Sequence, residues 1–205
     1  MQMYSESDVD TSLLSGKQVT ILGYGSQGRA HALNLKDSGF KVVVGLRPDG
    51  PSWKQARADG LEVQAPNDAV RDAAMVMFLT PDMVQKSLYA AVVDDIAEGA
   101  TLLFAHGFNI HFDAIKPPKD VDVIMVAPKS PGDLVRRQYQ EGRGVPCLRA
   151  VHQDASGEAW ERGPVILSWL DSQYAADIDG ENLVIHEFVH KLDMLNGIAN
   201  GFPPL

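Results

Sequence analysis

The sequence is short of cysteine and of long apolar runs. One cysteine, Cys147, stands among 205 residues, which excludes an intramolecular disulfide and suits a reducing compartment. No run approaches the roughly 20 apolar residues of a membrane span, and the first residues lack the basic and apolar regions of a secretion signal. These absences predict a cytoplasmic protein with no membrane partner.

Basic residues are also scarce. Lys and Arg number 18 against 27 Asp and Glu, which gives a formal net charge of -9. Because a nucleic-acid backbone is bound through basic surface, this balance argues against a nucleic-acid partner. The remaining composition, 45% hydrophobic and 22% charged, is typical of a globular protein with a buried core.

What the sequence does have is a regular alternation of short apolar runs and longer amphipathic segments. Near-continuous apolar runs predict strands that are buried on both faces. A strand followed by a helix, several times over, predicts parallel crossovers and therefore a doubly wound α/β sheet of the Rossmann type. The six predicted strands lie at residues 17–25, 41–47, 73–80, 100–107, 121–129 and 144–152.

That alternation stops near Ser156. The rest of the chain predicts a short C-terminal appendage, made of one strand, an acidic loop and a helix from about Glu181. We therefore divide the chain into a dinucleotide-binding domain over residues 1–157 and a separate segment over residues 158–205.

The first strand ends in a glycine-rich turn, "ILGYGSQG" at residues 21–28. In such a G-x-G-x-x-G turn, Gly23 permits the tight bend, Gly25 lets a pyrophosphate approach the backbone, and Gly28 lets the helix pack on the strand. Backbone N–H groups and the helix dipole then bind the phosphates. The motif predicts dinucleotide binding, and the alternative is a merely tight turn between strand and helix.

The second predicted strand ends where the adenosine ribose of a dinucleotide is recognised. An acidic residue there binds the free 2′-hydroxyl of NAD, whereas an arginine pairs with the 2′-phosphate of NADP. Arg47 follows the strand directly and Ser52 can donate a hydrogen bond, so NADP is favoured. Asp49 would repel that phosphate if it faced it, which keeps NAD as the alternative.

Five separate blocks of the sequence carry a family resemblance: "GYGSQGRAHALNLKDSGFKVVVGLR", "TPDMVQ", "FAHGFNIHF", "VIMVAPKSPGDLVRR" and "GRGVPCLRAVHQDASGEA". Together they resemble the N-terminal domain of ketol-acid reductoisomerase, over about residues 1–159. The resemblance implies NADPH as the ligand, an activity in branched-chain amino-acid biosynthesis, and assembly as a homo-oligomer in the family enzyme.

By position, the resemblance also implies site residues. His106, after the fourth predicted strand, would be the active-site histidine near the nicotinamide; the alternative is a structural histidine at a strand end. The chain departs from the family pattern at Ser130, Asp133 and Leu134, and Asp133 adds a carboxylate near an expected phosphate site. Besides Gly23 and Gly28 of the turn, the implied cofactor contacts are Tyr24, Gly25, Ser26, Gln27, Arg47, Ser52, Asp82, Met83, Val84, Gln85 and Gly132.

The resemblance further implies two Mg²⁺ ions, which polarise the ketol oxygens and are held by carboxylates of a helical C-terminal domain. Different sequence follows the block ending "SGEA", so the Mg²⁺ ligands are expected to be absent from this chain. We therefore expect it to bind NADPH, and to use a ketol-acid substrate only if the missing domain is supplied.

The C-terminal segment, residues 158–205, contains His-Glu-x-x-His at residues 186–190. On a helix, His186 and His190 lie one turn apart on one face, so both could bind one zinc, with Glu187 as general base. Residues 160–205 resemble the Mlc titration factor family of zinc peptidases, which implies a third ligand, a glutamate further downstream. With two protein ligands, zinc binding is expected to be weak. The alternatives are a solvated acidic helix, and a fusion that only binds nucleotide.

Overall fold

A seven-stranded sheet forms the centre of the part that the computed structural model describes, residues 14–156. The predicted appendage and the predicted boundary at residue 157 lie outside this part. The strands are β1 (Gln18–Leu22), β2 (Lys41–Gly45), β3 (Glu62–Gln64), β4 (Ala73–Phe78), β5 (Thr101–Phe104), β6 (Asp122–Pro128) and β7 (Cys147–Gln153).

The helices connect successive strands. Two of them begin with proline, Pro51 and Pro66, which suits a first helical turn because its N–H groups have no partner within the helix. Within residues 14–156, no helix has the length and hydropathy of a transmembrane span. The helices are α1 (Ser26–Asp37), α2 (Pro51–Ala58), α3 (Pro66–Val70), α4 (Asp82–Val92), α5 (Phe108–His111) and α6 (Gly132–Gln140), with a 3₁₀ turn at Val93–Asp95.

The strand order is β3-β2-β1-β4-β5-β6-β7, and every neighbouring pair except β6 and β7 is parallel. This confirms the predicted Rossmann-like α/β fold. The order reverses direction between β1 and β4, and at such a switch point the crevice beyond the carboxyl ends of the strands is the usual ligand site.

Two strands differ from the prediction. β3 is an additional strand of three residues, too short to show a pattern, and Val63 is its one buried residue. The sixth predicted strand, now β7, runs antiparallel to β6 instead of continuing the parallel series. The Lys129 N–H, just after β6, donates to the Pro146 carbonyl, so the chain has returned to the carboxyl end of β6 before β7 begins. β7 must therefore run in the opposite direction.

Apolar side chains cover both faces of the sheet. Val19 and Ile21 of β1 are fully buried in one core cluster, while Leu22 belongs to the other. In that second cluster Phe78 stacks on Phe104, with ring centroids 5.1 Å apart. Burial of a side chain of this size stabilises the fold by about 1.5–3 kcal/mol. Two covered faces explain why the strands are continuously apolar.

One buried carboxylate holds the chain as it leaves β7. Asp122 is 5% exposed. Its Oδ1 accepts the backbone N–H groups of Ala155 and Ser156 at 2.8 and 3.0 Å, and its Oδ2 accepts the Ser156 hydroxyl at 2.7 Å. These bonds tie the residues after β7 to the first residue of β6, at the edge of the sheet opposite the carboxyl ends.

We expect Asp122→Ala to lower the free energy of unfolding by about 2 kcal/mol, because hydrogen bonds to a charged group are removed. Urea unfolding followed by circular dichroism measures this change. Asp72→Ala, which removes an exposed carboxylate, is the matched control and should change stability by less than about 0.5 kcal/mol. Equal losses of unfolding free energy in the two variants would show that the hydrogen bonds of Asp122 do not stabilise the fold.

Candidate functional site

A cleft of about 610 Å³ opens at the carboxyl ends of β1, β2 and β4. It lies at the point where the strand order reverses, as expected for a ligand site in a doubly wound sheet. The glycine-rich turn, the loop between β2 and α2, the loop between β4 and α4, and the first turns of α2 and α4 line it. Lining residues include Gly23, Tyr24, Gly25, Arg47, Ser52, Trp53, Thr80 and Val84.

The three glycines of the turn have different surroundings. Gly23 has a φ of +108°, and a Cβ there would lie 2.8 Å from Thr80 Cγ2. A Cβ at Gly28 would overlap the Gly23 carbonyl oxygen, whereas a Cβ at Gly25 would meet no atom within 4 Å. The fold therefore requires glycine at positions 23 and 28. At Gly25 the absent side chain leaves space in the cleft.

The N-terminus of α1 borders this space with its N–H groups available. Gly25 is the N-cap, with no side-chain capping hydrogen bond, and the first turn contains no acidic residue. The positive end of the helix dipole is thus uncompensated and suits an anion. Thr80 Oγ1, a buried oxygen of a residue that lines the cleft, has no hydrogen-bond partner within residues 14–156, which suits a polar ligand. Gln27 Oε1 is also buried and without a partner in that range, but Gln27 does not line the cleft, and its Nε2 donates to the Ser130 carbonyl at 2.7 Å.

A second helix N-terminus lies at the other side of the cleft. α2 begins after Gly50, again without a side-chain cap, and Ser52 lies in its first turn. Arg47 is exposed beside it. Asp49 has a φ of +61° and, among the described residues, is not part of the cleft lining. Because Asp49 is not a lining residue, the repulsion that the sequence suggested between its carboxylate and a 2′-phosphate is not expected in this cleft.

The "DMVQ" segment, Asp82 to Gln85, is divided between surface and interior. Val84 lines the cleft and Met83 is 88% exposed. Gln85 is buried, and its Nε2 donates to the Thr80 carbonyl at 2.8 Å while its Oε1 accepts from Asn109 Nδ2 at 2.9 Å. The Gln85 amide therefore holds the loop that carries Thr80.

Gly132 lies at the start of α6 and does not line the cleft. A Cβ there would overlap the backbone and hydroxyl of Ser26 at the start of α1. The bare backbone of Gly132 thus allows α6 to approach α1 closely. Asp133, the carboxylate added to the family pattern, lines a separate notch of about 110 Å³ with Ser26 and Arg29.

His106 follows β5 and is exposed at the carboxyl edge of the sheet. Its Nδ1 lies 3.2 Å from Asp82 Oδ2 and 3.3 Å from the Phe108 backbone N, which donates to it. One nitrogen cannot accept the Phe108 N–H and carry a proton towards Asp82 at once. Nδ1 can therefore bond to only one of these two partners at a time.

The predicted zinc residues His186, Glu187 and His190 lie outside the described part of the chain. Within residues 14–156, no group of three or more His, Cys, Asp or Glu side chains could hold a metal ion.

The structure adds residues that the sequence did not single out. Thr80 and Trp53 line the cleft, and Asp59 accepts the Tyr24 hydroxyl from outside it. Thr80 lies two residues after the end of β4, a position that could have indicated it. Asp59 has no such signal, because its partner Tyr24 lies 35 residues away in sequence.

A Rossmann-like sheet with a glycine turn, an uncapped helix N-terminus and a cleft at the switch point defines a dinucleotide-binding domain. Residues 13–169 match the family described as acetohydroxy acid isomeroreductase, NADPH-binding domain. The chain belongs to this family and carries its NAD(P)-binding domain.

Similar proteins agree with this assignment. A ketol-acid reductoisomerase (NADP(+)) of Xanthomonas campestris pv. campestris (strain B100) is 53% identical over 180 residues, covering 82% of this chain and 54% of that protein. One of Xanthomonas oryzae pv. oryzae (strain MAFF 311018) is 52% identical over 181 residues, with the same coverage. The solved structure of an NADH-preferring ketol-acid reductoisomerase from an uncultured archean superposes with a TM-score of 0.74 at 47% identity, covering 78% of this chain and 50% of that one.

The chain spans about half the length of the curated relatives it matches. The family match runs to residue 169, beyond the predicted boundary at 157. Nothing in these comparisons supports the predicted zinc-peptidase resemblance of residues 160–205, or a zinc site at His186, Glu187 and His190.

Proposed function

We propose that this chain is the NADPH-binding half of a ketol-acid reductoisomerase. The observation that carries the proposal is the cleft with two uncapped helix N-termini, α1 behind the glycine turn and α2 beside Arg47. The N-terminus of α1 suits a pyrophosphate, and the N-terminus of α2 with Arg47 suits the additional phosphate on the adenosine ribose.

The adenosine end favours NADPH over NADH. Arg47 and the Ser52 hydroxyl are donors at the cleft, and the carboxylate of Asp49 is not part of the lining. NADP is also the cofactor in the names of the two Xanthomonas relatives. The archean relative is described as NADH-preferring, so NADH is the ligand against which the preference has to be measured.

Titration of the chain with NADPH, followed by nicotinamide fluorescence or isothermal calorimetry, tests the proposal. We expect saturable binding of one NADPH per chain. Arg47→Ala should weaken NADPH binding about 10-fold, since a charge-assisted hydrogen bond contributes about 1.5–3 kcal/mol and Arg47 is partly solvated. NADH binding should change less than twofold, because NADH lacks the 2′-phosphate.

Arg71→Ala is the matched control, because Arg71 is an exposed arginine whose partners are Asp68 and Asp95. It should leave the affinity for both nucleotides unchanged. Absence of NADPH binding at millimolar concentration would contradict the proposed function. Equal weakening of NADPH and NADH by Arg47→Ala would contradict the assignment of the adenosine end.

For the reaction of a complete enzyme, we propose that His106 handles a proton near the nicotinamide end. NADPH supplies a hydride when bound. Asp82 Oδ2 and the Phe108 N–H are alternative partners for His106 Nδ1, and these contacts hold the imidazole at the carboxyl edge of the sheet. We propose that the ketol-acid substrate and Mg²⁺ bind with residues supplied from outside the described part. Assembly as a homo-oligomer stays a prediction.

A further inference from the structure

Four donor atoms converge on the carboxylate of Asp59, which lies at the C-terminal end of α2 and outside the cleft lining. Asp59 Oδ2 accepts the Tyr24 hydroxyl and Arg29 Nε, each at 2.8 Å. Its Oδ1 accepts Arg29 Nη2 at 3.1 Å and Gln55 Nε2 at 3.2 Å. The Asp59 side chain is 14% exposed and that of Arg29 is 45% exposed, so the network lies at the protein surface with the carboxylate itself mostly covered.

The charges in this network are well defined. The hydrogen bond from Arg29 holds the pKa of Asp59 well below its usual range. Burial, together with the hydrogen bond to Asp59, raises the pKa of Tyr24 well above its usual value. Asp59 is therefore an ion and Tyr24 a neutral donor at neutral pH.

The three residues that supply these four donor atoms belong to the parts of the fold that form the cleft. Tyr24 lies between the first two glycines of the turn, with its side chain buried in the core cluster that includes Ala56 of α2. Arg29 lies on α1 and Gln55 on α2. Asp59 thus connects the glycine turn and both helices whose uncapped N-termini border the cleft.

The geometry points to Asp59 as a positioning residue of the nucleotide site, which acts through Tyr24 and Arg29. In this role it fixes the spacing between the N-terminus of α1 and the N-terminus of α2. The inference rests on the proposed NADPH site, in which one ligand bridges the two helix ends.

A bridging ligand is sensitive to this spacing in a way that a shorter ligand is not. Two linked groups bind together only if both subsites are held at the matching distance. Loss of this preorganisation reduces the affinity for the linked ligand, while each separate subsite remains intact. In contrast, a purely structural role would reduce the folded fraction and weaken all ligands by the same factor.

Two variants and two ligands distinguish these roles. Asp59→Asn removes the charge that Arg29 binds, and Tyr24→Phe removes only the hydroxyl while keeping the buried ring. Asp68→Asn is the control, because it also removes a carboxylate that pairs with an arginine, Arg71. NADPH bridges both helix ends, whereas adenosine 2′-phosphate occupies only the α2 end. Calorimetry and NMR titration give the two dissociation constants, well below the melting temperature of each variant.

We expect Asp59→Asn to raise the NADPH dissociation constant at least 10-fold and Tyr24→Phe to raise it about 3-fold. Both variants should keep the dissociation constant for adenosine 2′-phosphate within twofold of that of the unmodified chain. Asp68→Asn should change the affinity for neither ligand. Parallel changes for the two ligands, or no change for NADPH, would overturn the role of Asp59. If Asp59→Asn does not fold, Tyr24→Phe decides between the two roles, through the ratio of its NADPH and adenosine 2′-phosphate dissociation constants compared with the same ratio in the unmodified chain. Failure of the unmodified chain to bind NADPH would instead reject the proposed function on which the inference rests.

Discussion

Replacing Gly25 with aspartate is expected to abolish NADPH binding without destabilising the fold. A Cβ at position 25 would meet no protein atom within 4 Å, and the backbone angles of Gly25, φ -78° and ψ -167°, are open to any residue. Aspartate is a good N-cap, so stability should stay within about 0.5 kcal/mol of the unmodified chain, or rise. The same carboxylate occupies the space proposed for the pyrophosphate.

Repulsion between like charges at this point should weaken NADPH binding at least about 100-fold, since such a juxtaposition costs several kcal/mol. Calorimetric titration measures the affinity, and thermal unfolding measures the stability. Gly25→Asn is the matched control, because asparagine has nearly the same size and also caps helices but carries no charge. It should weaken binding much less. Equal affinities for the Asp and Asn variants would show that no phosphate approaches Gly25.

Replacing Gly28 with alanine is expected to destabilise the domain by about 3 kcal/mol, as an overpacked core position does. Gly28 lies in α1, where alanine would ordinarily be more favourable than glycine by about 1 kcal/mol. Here the added methyl group would overlap the Gly23 carbonyl oxygen, so the helix and the turn must separate. Helix propensity alone would make Gly28→Ala stabilising, so a fall in the free energy of unfolding would report on packing.

Thermal unfolding should show a fall in melting temperature of about 6–12 °C for Gly28→Ala, given about 2–4 °C per kcal/mol for a chain of this size. NADPH binding should weaken as well, because the turn is displaced. Gly144→Ala is the control, since a Cβ there would meet nothing within 4 Å and the backbone at Gly144 does not have a positive φ. It should be neutral or slightly stabilising. A Gly28→Ala variant as stable as Gly144→Ala would contradict the close approach of α1 and the turn.

The site could be predicted from sequence wherever its residues are neighbours in the chain. The turn from Gly23 to Gly28 joins a strand directly to a helix, so glycine spacing alone specifies its backbone. The position of Arg47 and Ser52 at the cleft was predictable for the same reason, because Arg47 lies in the short loop between β2 and α2 and Ser52 lies in the first turn of α2. Their contact with the cofactor stays a prediction. His106 was predicted after a strand, and it lies there. Its role in chemistry stays a prediction.

Other functional details depend on contacts between distant parts of the chain. "DMVQ" does not reveal that Gln85 points inward to Thr80 and Asn109, away from the cleft. Nor does the sequence show that Gly132 serves the approach of α6 to Ser26. Such contacts follow from how helices pack, and side chains of the same type occur equally well in a binding site or in a helix contact.

The sequence by itself determined the Rossmann-like class and the position of the dinucleotide turn, because strand length, apolar continuity and glycine spacing are local properties of the chain. The tertiary structure decided the antiparallel direction of β7, the removal of Asp49 from the cleft lining, and the convergence of Tyr24 and Arg29 on Asp59. An apolar run has no direction, and a carboxylate has no partner, until the intervening chain has folded and brought its neighbours into contact.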